Sequence, residues 1–229
     1  MRLDKYITDS VDCSRSQIKR CIGKGRITVN EEIITDPSLP VPKGAVVTFD
    51  GNEIQRYQAR YIMLNKPENY ICSTKNEHYP SVLQLITIDN RDKLHIAGRL
   101  DADTTGLVLI TDDGHWSHQI TSPKKHCRKV YQVTLADRIK NEAVELFKQG
   151  IVLKNETTAT LPGELTIFDD HHVELIIEQG KYHQVKRMFA AIGNKVTALH
   201  RTRIGNIILD KSLKSGEWRY LNTVEQQQI

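Results

Sequence analysis

Eleven residues from Ala97 to Leu107 read Ala-Gly-Arg-Leu-Asp-Ala-Asp-Thr-Thr-Gly-Leu, a polar turn between two apolar segments. Asp101 and Asp103 share a face if the segment is extended, because side chains alternate along a strand. A second acidic pair, Asp112-Asp113, and two histidines three apart, His115 and His118, follow closely. Converging carboxylates and imidazoles can serve acid–base chemistry or hold a metal for hydrolysis. A metal needs ligands at fixed geometry, and these residues lie on a turn after a strand, so no metal site is expected. The plainest reading is a loop whose Asp and Thr side chains satisfy backbone donors. Asp103, Thr104 and Thr105 are expected to shape the turn that presents Asp101.

Charge adds a second signal. The 229 residues carry a net charge of only +4, yet the excess is focused. Arg15, Lys19, Arg20, Lys24 and Arg26 lie in an acid-free run from Ser14 to Thr28. Lys124, Lys125, Arg128 and Lys129 fall in another from Pro123 to Val130. A third, from Gln179 to Asn206, holds Lys181, Lys186, Arg187, Lys195, Arg201 and Arg203. Three such stretches point to a basic face and a nucleic-acid partner. No apolar run is long enough to span a bilayer, and Met1–Ser10 has no signal-peptide core. Cys13, Cys21, Cys72 and Cys127 are widely spaced without a CxxC, which fits reduced thiols in a cytoplasm.

The elements that must position these residues are legible in part. Leu3, Tyr6 and Ile7 mark a short amphipathic helix. Ser14-Arg15-Ser16-Gln17 is a capping box, followed by Ile18, Cys21 and Ile22 as an inward face and by Gly23 and Gly25 as a stop. Strands are expected at 26–29 and 45–49. Residues 55–60 are polar and unpatterned, which suggests a boundary. Beyond it, strands are expected at 61–66, 94–97, 106–111, 129–135, 165–168 and 172–177. A helix is expected over 140–150 with Ala143, Leu146 and Phe147 on one face, and another over 184–192. Many strands with few helices predict an α+β fold with a central mixed, largely antiparallel sheet and a catalytic cleft.

Arg2-Leu3-Asp4-Lys5-Tyr6, Ser14-Arg15-Ser16 and Gly25-Arg26-Ile27-Thr28-Val29-Asn30 together resemble an S4 RNA-binding domain. The resemblance implies that the second helix and the following turn lie against folded RNA, with Arg15, Lys19, Arg20, Lys24 and Arg26 as contacts. The Gly98-to-Gly114 string is similar to the catalytic motif of the pseudouridine synthases, in the form typical of the RsuA branch. Lys129-Val130-Tyr131, Lys181 to Phe189, and Leu199 to Gly205 are similar to three further motifs of that family. The division implied is an S4 domain over 1–57 and a catalytic domain over 58–229.

The resemblance implies isomerisation of one uridine in small-subunit (16S) ribosomal RNA. The target is flipped out of its stack, and no cofactor is needed because nothing is oxidised, reduced or added. Asp101 stands where the family has its catalytic aspartate, which assists loss of uracil by attack or by charge stabilisation. Tyr131 stands at the family tyrosine, as a stacking surface or a proton acceptor. Lys186 is the cation expected beside Asp101, at a position where many relatives carry arginine. Arg99 is expected to fill the vacated stack or hold a flanking phosphate, and Arg187 to meet RNA phosphate. The partner is expected to be small-subunit RNA, free or in a partly assembled particle, and the protein a cytoplasmic monomer without membrane contact. The competing readings are a noncatalytic RNA binder, a sister enzyme for large-subunit RNA and a metal-dependent nuclease.

Overall fold

The computed structural model describes residues 1–11, 13–75 and 77–229. The chain divides into two compact units, Met1–Gln58 and Ala59–Ile229.

The first unit opens with α1 (Leu3–Ser10) and α2 (Arg15–Gly23). Four short strands follow: β1 (Ile27–Val29), β2 (Glu32–Ile33), β3 (Val47–Phe49) and β4 (Asn52–Glu53), in the order β2-β1-β3-β4. Leu3, Tyr6 and Ile7 do face inward, and they pack with Ile18, Ile22, Ile27 and Val47 in one core. Ser14 and Gln17 form the capping box, each side chain accepting from the other's backbone N–H. Gly25 adopts φ +70, the left-handed turn that lets the chain leave α2 for β1. Cys21 is only half-buried, and its Sγ accepts a hydrogen bond from Arg26 at 3.4 Å.

Asp4 ties this unit together. Its fully buried carboxylate accepts from Arg2 at 3.2 Å and from Arg15 at 3.0 Å. Burial acts to raise its pKa, but the two guanidiniums prevail and hold it below the ordinary 3.8. A carboxylate with a depressed folded pKa stabilises the fold above its unfolded value and loses that contribution as pH falls through the folded one. Asp4→Asn should therefore cost about 2 kcal/mol, typical of hydrogen bonds to a charged group. Thermal unfolding at pH 7 checks this, and the difference from wild type should shrink below pH 4.

The second unit is built on a sheet of nine strands. They are β5 (Tyr61–Lys66), β6 (His95–Ala97), β7 (Thr105–Thr111), β8 (Lys129–Leu135), β9 (Glu164–Ile167), β10 (His172–Ile177), β11 (Val196–Ile204), β12 (Ile207–Ile208) and β13 (Trp218–Tyr220). The order is β13-β5-β7-β11-β8-β10-β9, with β6 on β7 and β12 on β11. The helices are α3 (Gly114–Thr121), α4 (Glu142–Gln149), α5 (Gln184–Ala191) and α6 (Thr223–Gln226). The sheet is antiparallel except where β7 meets β11. Alternation feeds two cores: Ile62, Leu64, Val108 and Ile110 enter one, Met63, Leu107 and Leu109 the other.

Helix α3 goes beyond the sequence reading. Asp113 caps it, accepting from His115 and Trp116 N–H, and also accepts from the Tyr61 hydroxyl at 2.9 Å. Asp112 is bound to the backbone and guanidinium of Arg60. The acidic pair is thus engaged in local structure. Leu146 is exposed while Ala143 and Phe147 are buried. It stands about 100° around the helix from Phe147, outside the narrow stripe that α4 buries. Among the described residues no helix is long and apolar enough to cross a membrane.

Candidate active site

One edge of β7 pairs with β5 along Gly106–Thr111. Its other edge is shared: β11 pairs at Thr105 and Gly106, and β6 at Leu109 to Thr111. Arg201 of β11 serves the gap between them. Its side chain is 1% exposed. It donates to the carbonyls of Leu107 at 2.9 Å, Gly98 at 2.7 Å and Arg99 at 3.4 Å. A side chain thereby satisfies acceptors that a strand would otherwise have to meet. Gly106, at φ +99, is required here, since a Cβ would lie 2.3 Å from the Arg201 carbonyl oxygen.

The loop between β6 and β7 carries Asp101. Arg201 holds its first half at Gly98 and Arg99. Lys66, fully buried, holds its second half: Nζ donates to Ala102 O at 3.2 Å, Thr104 O at 2.7 Å and Pro67 O at 2.9 Å. Burial pushes the Lys66 ammonium below its usual pKa. The turn closes with Thr104 N–H donating to Asp101 O at 3.1 Å.

Two side chains of the α5 start face Asp101. His183 Nε2 lies 3.3 Å from one carboxylate oxygen, and Lys186 Nζ lies 3.4 Å from the other. At an effective dielectric near 20 the lysine pair attracts by about 5 kcal/mol before desolvation offsets part of it. Lys186 also forms a direct hydrogen-bonded ion pair with Asp103. Burial acts to raise the Asp103 pKa, but the lysine holds it below the ordinary value. Asp103 therefore does more than shape the turn: it shares the cation with Asp101.

A cavity of about 400 Å³ opens beside Asp101. It is lined among others by Arg99, Asp101, Lys129, Tyr131, Lys186 and Arg201. Its volume falls within the range of small-ligand sites. Tyr131 is 7% exposed, and its hydroxyl accepts from Arg201 Nη1 at 3.3 Å. The two residues stand opposite each other on β8 and β11, beside a register shift between Arg201 and Arg203. Such an irregularity re-aims side chains at a site. Lys129 lines the same cavity with its Nζ on Cys127 O at 2.7 Å, and burial lowers its pKa.

The structure thus brings Asp101, Tyr131, Lys186 and Arg99 to one cavity, with Arg99 exposed. Arg187 lies on α5 with partners within the protein. Its guanidinium is bound to Glu156 at 2.8 Å, to Lys154 O at 2.9 Å and to Tyr182 O at 3.2 Å. It fastens loops while staying partly open to solvent. Arg15 and Arg26 are likewise engaged, with Asp4 and with Asp50. Both stay exposed, as do Lys19, Arg20 and Lys24 on and just after α2, and these last three have no acidic partner among the described ion pairs. Replacing these three by glutamine should weaken RNA binding and flatten its salt dependence. The slope of log K against log salt should fall by about 0.7–0.9 per lost phosphate contact. Filter binding across a salt series reads this directly.

His183, Arg201 and Lys66 were not singled out by type and spacing. The available signal was their place inside the quoted motifs or, for Lys66, just before Pro67 at a strand end. Among the described residues no group of three or more His, Cys, Asp or Glu side chains is placed to hold a metal ion.

Comparison with known proteins gives the family. Residues 60–191 match the RNA pseudouridylate synthase family and residues 1–47 the S4 domain. The chain is 51% identical over 231 residues to the ribosomal small subunit pseudouridine synthase A of Vibrio parahaemolyticus serotype O3:K6, covering 100% of this chain and 99% of that one. It is 48% identical over 226 residues to the protein of the same name from Escherichia coli (strain K12), covering 98% of each. A crystal structure of a pseudouridylate synthase superposes with a TM-score of 0.73 at 45% identity, over 100% of this chain and 99% of that one. With a catalytic-type aspartate loop braced over a lined cavity and an S4 domain ahead of it, the chain belongs to the RNA pseudouridylate synthase family.

Proposed function

We propose that this enzyme converts one uridine of small-subunit (16S) ribosomal RNA to pseudouridine, with Asp101, Tyr131 and Lys186 as its catalytic residues. The observation that carries the reading is the meeting of all three at one cavity. The N-glycosidic bond between N1 and C1′ breaks, the uracil turns, and C5 bonds to C1′. The C5 proton leaves and N1 gains one, so atoms balance without a cofactor. The Asp101 carboxylate acts at the sugar, by attack on it or by stabilising its positive charge. Both routes use the same position, which Lys186 and the braced loop fix. Tyr131, which lines the same cavity, is the residue proposed to act on the base. Its hydroxyl oxygen accepts from Arg201 Nη1, which fixes the ring where it can stack on the base or take the C5 proton.

The target must leave its stack to enter the cavity, at a cost of a few kcal/mol. Arg99 at the mouth is placed to hold the flanking strand. Lys19, Arg20 and Lys24 supply affinity and position, since phosphate contacts carry no base identity. Selection of one uridine then rests on RNA shape, free or in a partly assembled particle. The protein acts as a monomer in the cytoplasm. The name shared by the full-length relatives favours small-subunit over large-subunit RNA.

Mapping pseudouridine in ribosomal RNA from a strain lacking this protein tests the reading. One small-subunit position should lose its modification, and the purified enzyme should restore it in the presence of a chelator. Intact small-subunit RNA would refute the substrate assignment.

A further inference from the structure

We propose that Tyr182, stacked on His183, is a base-stacking subsite that holds the nucleobase next to the target uridine. This deepens the pseudouridine-forming reading above and rests on it.

Tyr182 is 73% exposed, the most exposed of the large hydrophobic side chains described. One face of its ring lies on the His183 imidazole, with centroids 3.8 Å apart and planes within 20°. That spacing is close to the rise of about 3.4 Å between stacked nucleotides. The stack is therefore a ready first layer, and the exposed ring offers a surface for the next. The other end of the stack is fixed at the reaction centre, because His183 Nε2 contacts the Asp101 carboxylate at 3.3 Å. A uridine whose ribose meets Asp101 thus brings its neighbour to the Tyr182 ring.

A lone exposed tyrosine is ordinary, but this one is held in place. His183 adopts φ 49 at the N-cap of α5, so the turn at which the stack sits is set by the start of that helix. Arg187 donates to the Tyr182 carbonyl at 3.2 Å and is itself held by Glu156. Lys181 is bound to the same Glu156, and its backbone N–H donates to Gln184 Oε1 at 3.0 Å. An exposed ring on a loop braced from both sides loses little freedom on binding, which is how a preorganised contact gains affinity. Stacking on an aromatic face accepts any base. The subsite therefore positions the strand and leaves sequence selection to the RNA fold.

The test uses small-subunit ribosomal RNA rebuilt by splinted ligation, with an abasic nucleotide on the 5′ or the 3′ side of the mapped uridine. Against intact RNA, Tyr182→Ala should raise KM by about five- to a hundredfold. Its kcat at saturating RNA should stay within about twofold, and its thermal unfolding should not move. Tyr182→Phe should behave as wild type. On one of the two abasic RNAs the wild type should lose the same factor, and Tyr182→Ala should lose nothing more. An unchanged KM for Tyr182→Ala would overturn the subsite. So would losses that simply add on both abasic RNAs. If the wild type forms no pseudouridine in intact small-subunit RNA, the substrate reading fails instead, a result distinct from an active wild type with an indifferent Tyr182→Ala.

Discussion

Asp101→Asn should abolish pseudouridine formation, lowering the single-turnover rate by at least about a thousandfold while RNA affinity stays within a few-fold. The substitution keeps the side chain's shape, so the loop held by Lys66 and Arg201 has no reason to move. It removes the negative charge at the one place where His183 and Lys186 converge. Affinity is spared because the cations proposed to dock RNA, Lys19, Arg20 and Lys24, are untouched by the substitution. The measurement is tritium release from C5-labelled uridine in the RNA, beside filter binding of the same RNA. Retained turnover would sink the assignment of Asp101. Joint loss of turnover and binding would show that the carboxylate is needed to build the site.

Arg201→Leu should be nearly as damaging, by another route. Leucine leaves the carbonyls of Gly98, Arg99 and Leu107 and the Tyr131 hydroxyl without their donor. A buried group left unsatisfied costs about 1–3 kcal/mol, and the losses overlap within one cluster. A total near 3–5 kcal/mol is expected. For a unit of this size that lowers the melting temperature by roughly 10 °C. Turnover at saturating RNA should fall below the melting temperature too, because the first half of the Asp101 loop is no longer held. Arg201→Lys should recover only part of either loss, since a single ammonium lacks the planar fork that reaches four acceptors. Calorimetry and single-turnover rates on both variants check this. An unaltered melting temperature for Arg201→Leu would refute the role assigned to the fork in the sheet.

What the sequence disclosed was local or periodic. Leu3, Tyr6 and Ile7 show their face by spacing, Ser14 and Gln17 show their cap by type, and β10 shows itself as an alternating run. The quoted motifs reached Asp101, Tyr131 and Lys186. What stayed hidden depends on register or on distant chain. Nothing in Leu199 to Gly205 tells which arginine is buried until β11 pairs in parallel with β7. Arg187 reads as a free cation because its partner, Glu156, comes from another loop. Helix α3 offers few periodic apolar residues, with Trp116 and Ile120 buried among histidines and polar side chains, so only its Asp113 cap was a local sign.

Lys66 and Arg201 have a consequence for when the site becomes strong. Among the described residues neither forms an ion pair; their charges rest on carbonyl oxygens and one phenol. Two positive charges therefore stand behind the Asp101 loop without an acid in contact. In the open cavity, water weakens their reach. A flipped nucleotide that displaces this water lowers the local dielectric, and the same charges act more strongly on whatever negative charge the reaction develops. On the proposed reaction, the two charges would act most strongly once the nucleotide has filled the cavity.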